Sequence, residues 1–133
     1  MRDSGMTPPT TDADSIAKQI RQAYDARNLD GLAPLLAADV TWGDPGTARG
    51  CRNRSDVLAT YSRLMSDGVD GEITELIQGP TGLLCGLTVH WPDETQGRDE
   101  RSVFHVYRVQ DGLITRIDRF DDRDAAAQSA GLL

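Results

Sequence analysis

Two side chains in this chain have the type and setting to move or polarise protons near neutral pH. Asp44 stands in Gly43-Asp44-Pro45-Gly46. A carboxylate at the mouth of an apolar cavity has its ionised form destabilised, which raises its pKa toward useful proton abstraction. Asp before Pro-Gly is also ordinary turn chemistry, and the two readings are compatible. His105 interrupts the apolar run Val103, Phe104, Val106, Tyr107. There it reads either as a hydrogen-bonded residue of a sheet or as a catalytic group, a neutral imidazole donating to a substrate oxygen or a general acid. The aromatic side chains Tyr24, Trp42, Tyr61, Trp91 and Tyr107 are the candidate pocket-lining residues, most of them core and one or two of them walling a cavity. Ile117 and Arg119 share strand parity with Thr115 and Asp121. That parity places them at the pocket, or leaves Arg119 and Asp121 as a rim ion pair.

Other chemistries find no support. His90 and His105 share no metal spacing, and Cys51 and Cys85 stand in no CxxC or Cys/His cluster, so no metal site is expected. Lys18 is the only lysine and falls on a helix surface, which removes a Schiff base. No GxGxxG, P-loop or G-x-S-x-G occurs, and no cofactor is expected. Lys plus Arg number 14 against 21 Asp plus Glu, a net charge of −7, which disfavours nucleic acid as a partner because binding there rests on phosphate neutralisation. No apolar run approaches the roughly 20 residues that span a bilayer. Met1 to Asp14 has no apolar h-region, so a cytoplasmic protein without membrane attachment is expected.

The 133 residues suit one domain. Residues 1–13, with Pro8-Pro9 and three threonines, read as a flexible tail, residues 14–125 as the domain and 126–133 as a frayed C-terminal tail. Thr11-x-x-Asp14 resembles a capping box. Ile16, Ile20, Ala23 and Tyr24 follow it at helical spacing, and Asn28-Leu29 ends that helix. Asp30 is the expected cap of a short second helix holding Leu32, Leu35 and Leu36. Val40-Thr41-Trp42 reads as a strand. Ser55 is the expected cap of a third helix carrying Val57, Leu58, Tyr61, Leu64 and Met65, stopped by Gly68. From Glu72 the period becomes two. Strands are predicted over Ile73–Gln78, Leu83–Trp91, Arg101–Val109 and Leu113–Phe120, with turns at Gly79–Gly82 and Gln110–Gly112. Leu83, Cys85, Leu87, Val89 and Trp91 share one face. The inward face of the last two strands is not fixed by the pattern. Helices followed by a strand meander predict an α+β fold in which three helices of the N-terminal half cover a curved antiparallel sheet.

The stretches Asn28–Leu32, Leu35–Trp42 and Gly43-Asp44-Pro45, with Phe104–Arg108 and Asp111–Ile114, resemble the nuclear transport factor 2-like superfamily, and its SnoaL-like branch in particular, over residues 14 to 125. The resemblance implies a cone-shaped sheet with a pocket at its open end, a cystatin-like α+β barrel, and a homodimer through the outer sheet face. Members include ketosteroid isomerases, polyketide cyclases, an epoxide hydrolase, dehydratases and non-catalytic proteins. Against the ketosteroid isomerases, Asp44 matches the general base before a proline and His105 the protonated acid of the oxyanion hole. Ile20 stands where their oxyanion tyrosine lies, with Tyr24 one turn further along. Arg119-x-Asp121 with Asp44 mimics the epoxide-hydrolase arrangement loosely, on another strand.

Together these features predict a pocket protein for a small apolar, carbonyl-bearing molecule. As an enzyme it would be a cofactor-free isomerase, cyclase or dehydratase with Asp44 as base and His105 as hydrogen-bond donor. The alternative is a non-catalytic ligand-binding or dimeric assembly module of the same fold. A hollow of about 300 Å³ or more favours ligand chemistry, and a packed interior favours the module.

Overall fold

The computed structural model describes residues 11–43, 50–91 and 100–133, with the side chains of 11–14 and of Glu100 outside the description. Helix α1, Thr11–Ala26, buries Ile16, Ile20 and Ala23, the apolar stripe read from the sequence. It ends where Arg27 takes a positive φ of 52° and the Asn28 amide donates to the Ala23 carbonyl at 2.9 Å. The Asn28 side chain, rather than Asp30, caps α2, Leu29–Leu32, by accepting from the Asp30 amide. An Asx cap lies on the residue whose backbone is still extended, and Asp30 is already helical. A 3₁₀ turn with Pro34 follows, and strand β1 runs Leu36–Gly43, so Leu36 opens a strand instead of closing a helix. Helix α3, Arg54–Ser66, is capped by Asn53, whose Oδ1 accepts from the Asp56 amide at 2.8 Å. Ser55, the expected cap, lies one residue inside the helix for the same reason.

The remaining strands are β2 Asp70–Gly79, β3 Gly82–His90, β4 Glu100–Gln110 and β5 Leu113–Phe120. They form one sheet in the order β1-β5-β4-β3-β2, antiparallel except for the β1/β5 pair. The β4/β5 hairpin turns at Asp111-Gly112, both at positive φ, the requirement of a type I′ turn. Two single-residue insertions bend the sheet. Thr74 is skipped between the Ile73↔Leu87 and Glu75↔Gly86 pairs, and Thr115 between Val109↔Ile114 and Arg108↔Arg116. Such bulges kink a strand and increase its local twist. They also decide the face that sequence parity leaves open: Ile114 and Ile117 point inward three residues apart, and Asp118 points outward.

The inner face packs Leu83, Cys85, Leu87, Tyr107, Ile114 and Ile117 against Ile16, Ile20, Val57 and Tyr61 of α1 and α3. The outer face is covered in part by α4, Arg123–Ser129, whose Ala126, Ala127 and Ala130 pack against Leu84 and Val106. The C-terminal segment is thus an ordered, capped helix and not a frayed tail. Asp122 caps it, and the alanines allow close approach to the sheet where larger residues would not. Gly79 and Gly82 face it. Arg108 donates to the Thr81 carbonyl and to Ser129 Oγ, the Thr81 hydroxyl donates to the Ser129 carbonyl at 2.7 Å, and Arg123 makes a two-pronged 2.9 Å contact with Glu75. Asp118, 4% exposed, sits under Arg116 at 2.7 Å.

This packing gives the first prediction. A Cβ on Gly79 would collide with the Ala130 carbonyl, so Gly79→Ala should cost about 1–3 kcal/mol in urea unfolding and expose the α4 amides to faster hydrogen exchange. Unchanged stability with unchanged α4 protection would mean that the contact does not hold the helix.

Candidate active site

The sheet closes around α1 and α3 without filling the space between them. A cavity of about 260 Å³ remains, just below the lower end of the small-ligand range and far from a packed interior. Each wall comes from a different element. Tyr24 of α1, Tyr61 of α3, Trp42 of β1, Trp91 beyond β3, His105 of β4 and Arg119 of β5 all line it. Leu64, Met65, Leu87, Val89 and Val103 supply apolar surface between them.

The aromatic groups form a continuous chain. Tyr24 meets Tyr61 edge-on with ring centres 6.0 Å apart, and their hydroxyls are 2.7 Å apart. Trp42 stacks on Tyr61 at 4.8 Å and 19°. His105 stands edge-on to Trp42 at 5.6 Å and 84° and to Tyr107 at 5.8 Å. Edge-on and stacked pairs of this kind add to the burial energy and fix ring orientation. Trp42 is held from behind by Cys51, which exchanges two backbone hydrogen bonds with it at 2.8 and 3.0 Å.

Desolvation keeps these groups neutral. His105 is 4% exposed, and burial together with the nearby Arg119 charge lowers its pKa to about 3. At neutral pH it therefore has one N–H and one lone pair. It can donate a hydrogen bond to an oxygen but cannot act as an imidazolium acid. Burial likewise pushes the Tyr24, Tyr61 and Tyr107 hydroxyls well above their ordinary value, and the Cys85 thiol up to about 12. The charged groups lie at the mouth. Arg27 pairs with Asp70, and Arg119 and Arg101 both reach Asp121 Oδ1, at 2.9 and 3.1 Å.

Of the residues singled out in the sequence, the cavity gathers Tyr24, Trp42, Tyr61, Trp91, His105 and Arg119. Tyr107 and Ile117 are each 1% exposed and lie in the core behind the wall. They share the inward face but sit further along their strands, where α1 and α3 pack directly on the sheet. Arg119 and Asp121 do form the rim ion pair. Asp44 lies outside the described residues. Sequence reasoning missed Arg27, Asp70, Arg101, Val89 and Val103 as lining residues. For Val89 and Val103 the signal was present, since they share parity with Leu87 and His105. For Arg27 and Asp70, at element ends, no spacing pointed to the cavity. Among the described residues, no three His, Cys, Asp or Glu side chains converge as a metal site, and no helix is long and apolar enough to cross a membrane.

The buried imidazole predicts a pH signature. In the unfolded chain it titrates at about 6.5 and in the folded chain at about 3, so between these values the unfolded chain binds the extra proton. Its contribution is complete above about pH 6.5 and is lost progressively as pH falls toward 3, by about 1 kcal/mol per unit. Urea unfolding across the acid range should show this slope in the wild type and a shallower one in His105→Phe. Equal slopes would place a solvated, titrating imidazole at position 105.

Comparison with known proteins identifies the architecture. A structure of a candidate ketosteroid isomerase from Kribbella flavida matches with a TM-score of 0.68 at 20% identity, covering 82% of this chain and 76% of that one. An epoxide hydrolase of the LEH-like type from M. tuberculosis matches with 0.65 at 19%, covering 92% of each chain. A nuclear transport factor 2-like protein of unknown function from Burkholderia pseudomallei matches with 0.64 at 18%, covering 90% and 97%. At these identities the likeness is one of fold, a fold shared by isomerases, cyclases and hydrolases. The curated proteins give no match. The family model described as the SnoaL-like domain matches residues 17–117, which hold all four aromatic wall residues, His105 and the strands behind them, and the chain belongs to that family.

Proposed function

We propose that the cavity binds a small apolar molecule bearing a carbonyl group and catalyses proton transfer beside that carbonyl without a cofactor. The observation that carries this reading is a neutral imidazole and a hydroxyl pair set in an otherwise apolar, aromatic-walled hollow. Donors in such a surrounding favour an acceptor oxygen and stabilise the negative charge that grows on it when an α-proton leaves. Pre-oriented donors need no rearrangement as that charge develops. An imidazole that remains neutral is suited to this electrophilic role.

In the mechanism, His105 and one hydroxyl of the Tyr24–Tyr61 pair, the other hydroxyl donating within the pair, donate to the substrate carbonyl oxygen, and Asp44 is the base. The carboxylate takes a proton from the carbon next to the carbonyl, leaving an enolate held by the donors. It returns the proton to the same or a conjugated carbon, or a leaving group departs instead. Gly43, which precedes Asp44, ends the strand that brings Trp42 to the cavity, and that adjacency supports the assignment. A volume of about 260 Å³ suits a substrate of one or two fused rings. The reading extends to a pair of chains meeting on the outer sheet face, where Ile77 is exposed and Phe104 and Phe120 are partly buried.

The test is base-catalysed exchange of the α-protons of 2-tetralone in deuterated buffer, followed by proton NMR. Wild type should accelerate exchange. Asp44→Asn should lower the rate by about 10²–10⁴, and His105→Phe by about 10²–10³. A four-ring steroid enone should not compete. Full activity in Asp44→Asn would remove the base. Binding of 2-tetralone without any acceleration by the wild type would establish the non-catalytic binding module instead.

A further inference from the structure

We infer that Tyr107, which does not reach the cavity, is a positioning residue: its hydroxyl holds Nδ1 of His105 and so fixes the tautomer in which Nε2–H faces the ligand. The two residues lie two apart on β4 and therefore on the same face of the sheet. The Tyr107 hydroxyl is 3.4 Å from His105 Nδ1, and the rings meet edge-on at 76°. Tyr107 is 1% exposed while His105 lines the cavity. The imidazole thus has one nitrogen turned to the protein interior and the other left for the hollow.

A neutral imidazole has one donor and one acceptor nitrogen, and the partner of one decides the role of the other. A phenol is a stronger hydrogen-bond donor than an imidazole N–H, and an unprotonated imidazole nitrogen is a stronger acceptor than a phenol oxygen. The favoured pairing is therefore Tyr107 O–H donating to Nδ1. The opposite tautomer would turn a lone pair toward the ligand, where it would repel a carbonyl oxygen.

The inference rests on His105 acting as the donor to the ligand, but it is read on the free protein and so can fail by itself. Nitrogen-15 NMR of histidine-labelled wild type at neutral pH, with His90→Gln used to assign the signal, should show Nε2 protonated and Nδ1 unprotonated. Tyr107→Phe should convert this to a mixture of both tautomers with the fold intact by circular dichroism. It should also slow 2-tetralone exchange about tenfold through kcat with little change in KM. A wild-type imidazole protonated at Nδ1 overturns the assignment, and this needs no variant to fold. An unchanged single tautomer in a folded Tyr107→Phe overturns it too. If the tautomer is as stated and 2-tetralone neither binds nor exchanges, the proposed function fails while the positioning role stands.

Discussion

Enclosing His105 among Trp42, Tyr107 and the apolar residues of β3 and β4 makes its charged form expensive, and that cost sets the chemistry of the whole cavity. A group that cannot ionise at neutral pH can only donate or accept. The same desolvation keeps Tyr24, Tyr61, Tyr107 and Cys85 protonated. The wall is therefore a set of fixed neutral dipoles in a medium of low polarity, where each hydrogen bond to a growing charge is worth more than in water. The arginines and carboxylates remain at the mouth, where water solvates them.

The fold exists to hold that wall in place. An antiparallel meander of regular strands would make a flatter sheet and present fewer converging side chains. The extra residues at Thr74 and Thr115 bend β2 and β5; β1 brings Trp42 to the hollow, β4 brings Arg101 and His105, β5 brings Arg119, and Trp91 reaches it just beyond β3. Helices α1 and α3 supply the two tyrosines from the other side. On the outer face, α4 keeps the sheet from being bare where Leu84 and Val106 emerge.

Periodicity made the helices and most of the strands legible, because burial on one face leaves a direct trace in the spacing of Ile16, Ile20 and Ala23 or of Leu83, Cys85 and Leu87. Both caps were displaced by two residues, since Asn28 and Asp30, or Asn53 and Ser55, are chemically alike and only the backbone angle separates them. Bulges leave no compositional mark, so the inward face of β5 could not be read. The ordering of α4 also escaped, because an alanine-rich segment beside charged residues looks the same frayed or packed until the glycines opposite it are seen. In the cavity, the residues with distinctive chemistry were found, as their type alone drew attention. Tyr107 was singled out but assigned to the wall, for strand parity gives the face of a side chain and not its depth.

The central claim is that an acceptor oxygen of the ligand sits against a neutral donor in a dry site. Its most direct measurement is the carbon-13 shift of carbonyl-labelled 2-tetralone bound to the protein. Polarisation by the donors should move the carbonyl signal downfield of its position in water, and His105→Phe should return most of that displacement. A bound signal upfield of water, as in a hydrocarbon solvent, would show a carbonyl without donors and would contradict the account.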